Sequence, residues 1–265
     1  MPEIFEVETL ESYRIKSLPG SAFYIPDFIS AHEEQFLLEK IINVPDSRWT
    51  ALSHRRLQTY PTQLLKGSIL PTADALPTWL AIPCVSRMKQ FGIWNDSPHL
   101  TANHCLINRY EPGEGIMPHE DGDVYYPMVA TVSLNDAIVL DIYRKELNAG
   151  GERVLAHRIY QEPRSLLITT DLIYTDYLHG IQEITIDKNI GPSTISNWKN
   201  LTFDTQQRVL HQIGQQQQEE RQTGILPDDR MYVKGADIPR TKDRISLTFR
   251  DVKKVRNFSA FMRKS

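Results

Sequence analysis

The stretch RISLTFR, residues 244–250, alternates with a period of two: Arg244, Ser246, Thr248 and Arg250 are polar, while Ile245, Leu247 and Phe249 are apolar. Successive side chains of a strand point to opposite faces, so this pattern specifies a strand with one apolar and one polar face. The apolar face belongs in a core. The polar face carries two guanidiniums, and buried cations without partners are very costly. If that face looks into a barrel it needs an acidic ligand. A dicarboxylate would supply one, because arginine grips a carboxylate through two parallel hydrogen bonds.

Upstream segments share the strand character. NHCLINRY (103–110), MVATVSLND (128–136), AIVLDIYR (137–144), RVLAHRIY (153–160) and RSLLITT (164–170) are short, rich in β-branched residues and separated by turn signals. Many short strands without long helices between them predict a sandwich, jelly roll or barrel over residues 103–251. Residues 1–100 read as a helical part that packs on one face of the barrel. Within it, FYIPDFISAHEEQFLLEKIINVP (23–45) predicts a short strand, a turn and a helix. Ser30 and Glu33 fit a capping box, Phe36, Leu37 and Ile41 supply an apolar helical face, and Pro45 ends it. LPTWLAIPCVSRMKQF (76–91) predicts a second helix. Residues 187–241 are polar, Gln-rich and interrupted by Gly and Pro. They read as an insertion between two core strands, lying outside the barrel. A helix is expected near 204–222, anchored by Val209, Leu210 and Ile213. The basic tail VKKVRNFSAFMRKS (252–265) reads as solvated, with phosphate contact or nuclear import as the alternatives.

The totals fit a single mixed α+β domain over residues 1–265. The chain is 40% hydrophobic and 24% charged, as in ordinary globular proteins. Its net charge of −3 means that any nucleic-acid surface must be a local basic patch. Two cysteines, Cys84 and Cys105, argue against a disulfide framework or a zinc cluster. No apolar run is long enough to span a membrane, and the acidic start MPEIFEVETLESYRI lacks a signal-peptide pattern. These features predict an intracellular monomer, cytoplasmic or nuclear, with no membrane partner.

GIMPHEDGDVYYP (115–127) carries the candidate chemistry. In an extended segment His119 and Asp121 project to one side. The pair alone is common by chance. His179, in DLIYTDYLHGI (171–181), would complete a two-His-one-carboxylate face that leaves metal positions open for substrate and dioxygen. Asn108 and Tyr110, just upstream, share a strand face and can hydrogen-bond an acid ligand without adding charge. Tyr125 and Tyr126 either stack a substrate base or pack at the rim. Arg55, Arg56 and Trp49 form either a substrate lid or a solvated surface around one packed Trp. His104 and Cys105 read as core residues.

Asn-x-Tyr, then His-x-Asp, then a distant His, then two Arg six residues apart resembles the AlkB family of iron(II)- and 2-oxoglutarate-dependent dioxygenases. Within it, LINRYEPGEGIMPHEDGDVYYPMVATVSL looks most like the sixth human homologue group. FYIPDF and HRRLQTYP also look family-like, and the resemblance weakens in residues 187–241. It implies a double-stranded β-helix, or jelly roll. It also implies iron held by His119, Asp121 and His179, with 2-oxoglutarate and dioxygen as co-substrates. Asn108, Tyr110 and Arg244 would contact 2-oxoglutarate, Arg244 at the distal carboxylate. Arg250 would sit near the proximal carboxylate and steady Asp121. Ser246 stands where the founding member has Asn, and still offers a hydrogen bond. Arg56, Tyr125 and Tyr126 are the candidate substrate contacts. The implied reaction hydroxylates or demethylates alkylated DNA or RNA. A protein or small-molecule hydroxylase, and an inactive jelly roll that binds nucleic acid or acts as a scaffold, are the alternatives.

Overall fold

The structure is a computed structural model that describes residues 9–61, 64–65, 68–69, 76–222 and 235–255. Its N-terminal part begins with β1 (Ala22–Ile25), α1 (Ala31–Ile42), β2 (Thr50–Leu52), β3 (Arg55–Tyr60), β4 (Leu64–Leu65) and β5 (Ser68–Ile69). α2 (Thr78–Leu80) then passes through a π-helical stretch, Ala81–Val85, into α3 (Ser86–Gln90). Pro83 sits in that stretch and has no N–H to give to a regular α-helical ladder. α1 starts with the capping box expected from its sequence: Glu33 N–H donates to Ser30 Oγ at 3.2 Å, and Ser30 N–H donates to Glu33 Oε2 at 2.8 Å.

The remaining elements are β6 (His104–Tyr110), β7 (Ile116–His119), β8 (Met128–Leu134), β9 (Ile138–Leu147), β10 (Arg153–Gln161), β11 (Leu166–Thr170), α4 (Asp171–Thr175), β12 (Tyr177–Ile181), β13 (Ile186–Ile190), α5 (Phe203–Gln222), β14 (Ala236–Pro239) and β15 (Arg244–Arg250). Two antiparallel sheets result. The larger has the order β1-β11-β8-β15-β6-β3-β2, and the smaller β10-β9-β12-β7. From β6 to β12 the chain alternates between the sheets, staying in one only for the β9–β10 hairpin, and β15 returns to the middle of the larger sheet. This wrapping is a jelly roll.

The alternation in RISLTFR separates two environments. Ile245, Leu247 and Phe249 join Ile107, Val132 and Ile168 in a core that also holds Leu37 and Ile41 of α1 and Met88 of α3. The helices therefore cover the outer face of the larger sheet. Arg244, Ser246, Thr248 and Arg250 face inward and line a cavity between the sheets.

Three expectations need correction. The N-terminal part is not simply helical, because β1, β2 and β3 extend the larger sheet to seven strands. Phe36 is not in the core: it is 37% exposed, with the Lys40 ammonium 5.5 Å from its ring centroid. Leu210 is also exposed, one residue off the buried stripe of α5 formed by Thr205, Val209 and Ile213 at four-residue spacing. The insertion adds no strand to either sheet, and its apolar residues pack against the rest of the fold. Val209, Ile213, Ile190, Ile195 and Leu201 join a second apolar cluster with Val139, Tyr160 and Tyr24. The β13–β14 pair is tied by a buried two-pronged bridge from Arg240 to Asp187, both contacts 2.8 Å. Residues 223–234 of the insertion, and 256–265 of the basic tail, lie outside the described residues.

Candidate active site

Strand pairing brings the two histidines together. β7 and β12 are antiparallel neighbours with His119 opposite His179, and their ring centroids are 4.4 Å apart. Gly180 allows this approach, since a Cβ there would lie 3.0 Å from backbone atoms of both Ile116 and Pro118. β7 ends at His119, and Asp121 follows two residues later with Oδ2 3.7 Å from His179 Nε2. One ligand atom from each of the three lies within 4.8 Å of the others. Among the described residues, no other trio of His, Cys, Asp or Glu does this. His119 Nδ1 is 2.9 Å from the Met117 carbonyl oxygen. A carbonyl only accepts, so Nδ1 is the donor there and Nε2 is the nitrogen left to meet a metal. Two imidazoles and a carboxylate on one side of a common point suit a divalent first-row ion and leave its other positions open.

Charge on the trio is set by burial and by Arg250. Asp121 is largely buried. Burial alone would push its carboxyl up, but Arg250, His179 and His119 together outweigh it and hold the pKa below the usual range. The second carboxylate oxygen, Oδ1, accepts a hydrogen bond from Arg250 Nη2. Burial pushes His179 down to about 4, against the pull of Asp121, so its imidazole is neutral near pH 7. A neutral imidazole is the form that donates a lone pair to a metal.

Arg244 lies on the same face of β15 and has no carboxylate partner among the described residues. Nη2 donates to Ser133 Oγ at 2.7 Å and to Gln161 Oε1 at 3.1 Å, while Nε is buried with no hydrogen-bond partner. Burial lowers its pKa to about 10, so the cation persists at neutral pH. Its guanidinium carbon is 5.9 Å from the centre of the Tyr110 ring. A buried cation with one N–H unmet fits a ligand carboxylate. Asn108, Tyr110 and Ser246 line the same cavity, whose volume is about 290 Å³.

Of the expected substrate contacts, Tyr125 lines the cavity, with the Arg250 guanidinium 4.9 Å from its ring centroid. Tyr126 is not in the lining, although its backbone N–H donates to the Asp251 carbonyl at 2.8 Å. Arg56 also points away. It pairs in register with Arg109, donates to Asp46 at 3.1 Å and lies over Trp49. Its neighbour Arg55 takes the inward place and donates to Asn108 Oδ1 at 3.2 Å. The parity of β3 decides this, with Leu57 opposite the inward-facing Asn108. Sequence reasoning also missed Ser133 and Gln161, the two partners of Arg244. Both are polar residues near the ends of their strands, and no sequence motif marks them. His104 and Cys105 are buried, as expected of core residues.

No family model matches the chain. The probable RNA/DNA demethylase ALKBH6 of Danio rerio is 40% identical over 188 residues, covering 68% of this chain and 77% of that one. A tRNA (carboxymethyluridine(34)-5-O)-methyltransferase, alkbh8 of Xenopus tropicalis, is 28% identical over 215 residues, covering 74% of this chain and 32% of that one. Among solved structures, that of OsALKBH1 covers 88% of this chain and 98% of its own at 13% identity, with a TM-score of 0.48. The extent and identity of the Danio rerio match place this chain in the AlkB family of iron(II)- and 2-oxoglutarate-dependent dioxygenases.

Proposed function

We propose that the chain holds iron through His119, Asp121 and His179, binds 2-oxoglutarate at Arg244, and oxidises the N-alkyl group of an alkylated base in DNA or RNA. One observation carries the reading. The His-Asp-His trio and a buried guanidinium with an unmet N–H line the same cavity between two sheets. Bound iron and 2-oxoglutarate supply oxidising power from dioxygen, with decarboxylation to succinate.

The chain's own residues position and screen. Arg244 takes the distal carboxylate, with Ser133 and Gln161 fixing the guanidinium. Asn108, Tyr110 and Ser246 give neutral hydrogen bonds along the co-substrate, and Arg55 steadies the Asn108 amide. Arg250 keeps Asp121 ionised and oriented. Leu140, Ile142 and Ile173 close the apolar side and keep water from the reacting group. The nucleic-acid substrate is supported by the name of the Danio rerio relative and by the Tyr125 ring in the lining. A cavity of about 290 Å³ is at the low end of small-ligand sites. A target base must therefore leave its stack to reach it.

Methylated RNA and DNA oligonucleotides incubated with protein, iron(II), ascorbate and 2-oxoglutarate test this. The expected result is succinate and loss of the methyl mark, both abolished in Asp121→Ala. Succinate formation coupled only to a protein or small molecule would overturn the substrate reading.

A further inference from the structure

The outer face of the smaller sheet carries a second depression, larger than the catalytic cavity. Its volume is about 1240 Å³, above the ~300–1,000 Å³ typical of small-ligand pockets, so an extended ligand suits it better than a small metabolite. It is separate from the catalytic cavity. Leu140 and Ile142 of β9 face the cavity, whereas Asp141 between them points the other way and pairs with Arg158 in the depression. One sheet thus stands between the two.

The lining is basic. It contains Arg14, Lys16, Arg158, Lys188 and Lys199, and no Asp or Glu. Two of these cations are already engaged: Arg14 bonds Glu11, and Arg158 bonds Asp141. Lys16, Lys188 and Lys199 are exposed, and only the Lys16 charge acts on a carboxyl already described, Glu11. In a chain of net charge −3 this concentration is local. Trp198, the indole of the lining, is partly exposed, adjoins Lys199 in sequence and packs on one side against the second apolar cluster. Three exposed ammonium groups and a part-exposed indole in one groove match a polyanion with flat groups between its charges. A single nucleic-acid strand has that chemistry: lysines neutralise phosphates, and an aromatic face stacks a base.

We infer that this groove is a second nucleic-acid-binding site, holding the backbone of a single strand behind the sheet that carries the catalytic histidines. It takes its ligand class from the proposed function, and it gives the insertion a role, because Lys188, Trp198 and Lys199 all come from residues 187–241. Strand binding here would raise the local concentration of substrate without taking part in the reaction.

The test is anisotropy of a labelled, unmodified single-stranded RNA against the full chain at several salt concentrations. Wild type is compared with the triple variant Lys16→Ala, Lys188→Ala, Lys199→Ala, with Trp198→Ala, and with Arg244→Ala as a catalytic-cavity control. Thermal melts check that all fold. Loss of three phosphate contacts should weaken binding at every salt and flatten the slope of log K against log salt by about 2, at about 0.7 per contact on a single strand. Trp198→Ala should weaken binding with little change of slope, and Arg244→Ala should change neither. Unaltered affinity and slope in the triple variant would overturn the inference. So would a wild type that binds anionic vesicles but no RNA, or binding lost only in Arg244→Ala. Turnover of a methylated mononucleoside should be the same in the triple variant and wild type. Failure of all nucleic-acid turnover alongside a flattened slope would sink the substrate reading and leave the groove standing.

Discussion

Arg244 is the residue on which the co-substrate assignment turns. Its charge is buried, its Nε lacks a partner, and the groups it does touch, Ser133 and Gln161, are neutral. Truncating one partner of a buried charge pair typically costs about 3 to 5 kcal/mol, much of it from the charge left unpaired. Arg244→Ala should bind 2-oxoglutarate more than about a hundredfold more weakly while keeping its iron affinity. Anaerobic calorimetry of 2-oxoglutarate into iron-loaded protein reads this, and wild-type affinity in the variant would remove Arg244 from the site. The two arginines of RISLTFR were legible because a period of two fixes which side chains share a face. The choice between Arg55 and Arg56 was not. Adjacent residues always face opposite ways, and which one faces inward depends on the pairing of β3 with β6, which no local pattern encodes.

At the scale of elements, α1 shows a short-range signal carried into the fold. Burial opposes ionisation of Glu33, but the Ser30 N–H and Arg87 outweigh it and hold the carboxyl below the usual range. A carboxyl with a depressed folded pKa adds stability that is full above the unfolded pKa, about 4.3, and is lost as pH falls through the folded value. Thermal melts of wild type and Glu33→Gln should therefore differ at pH 7 and converge as pH falls below about 4. A gap that persists at low pH would contradict the ion-pair account. α5 is the opposite case. Its helix and its anchors Val209 and Ile213 were legible, but what they pack against was not. Thr205, Val209 and Ile213 form one narrow stripe, and its partners Tyr160, Val139 and Tyr24 lie far away in sequence. Ile213→Ala should cost about 2 kcal/mol or more, within the range for buried Ile truncation. Denaturant unfolding checks this, and a loss below about 0.5 kcal/mol would mean that α5 is peripheral, as for an ordinary surface substitution.

Across the whole molecule, the site is built between the two sheets. The smaller sheet supplies His119 and His179, the larger supplies Arg244 and Arg250, and the Asp121–Arg250 contact crosses between them. The inward polar faces of the two sheets thus meet directly, through Asp121–Arg250 and through Arg244–Gln161, and leave the cavity between them. The sheet order was not readable from strand patterns alone, which left sandwich, jelly roll and barrel equally open. The spacing of the ligand-type residues narrowed it through the family resemblance. The central claim is that His119, Asp121 and His179 hold one metal ion together. Equilibrium dialysis of iron(II) under anaerobic conditions, on wild type and on the variant with all three replaced by Ala, tests it most directly. One iron per chain in wild type and none in the variant is the predicted result; stoichiometric iron in the folded triple variant would contradict it.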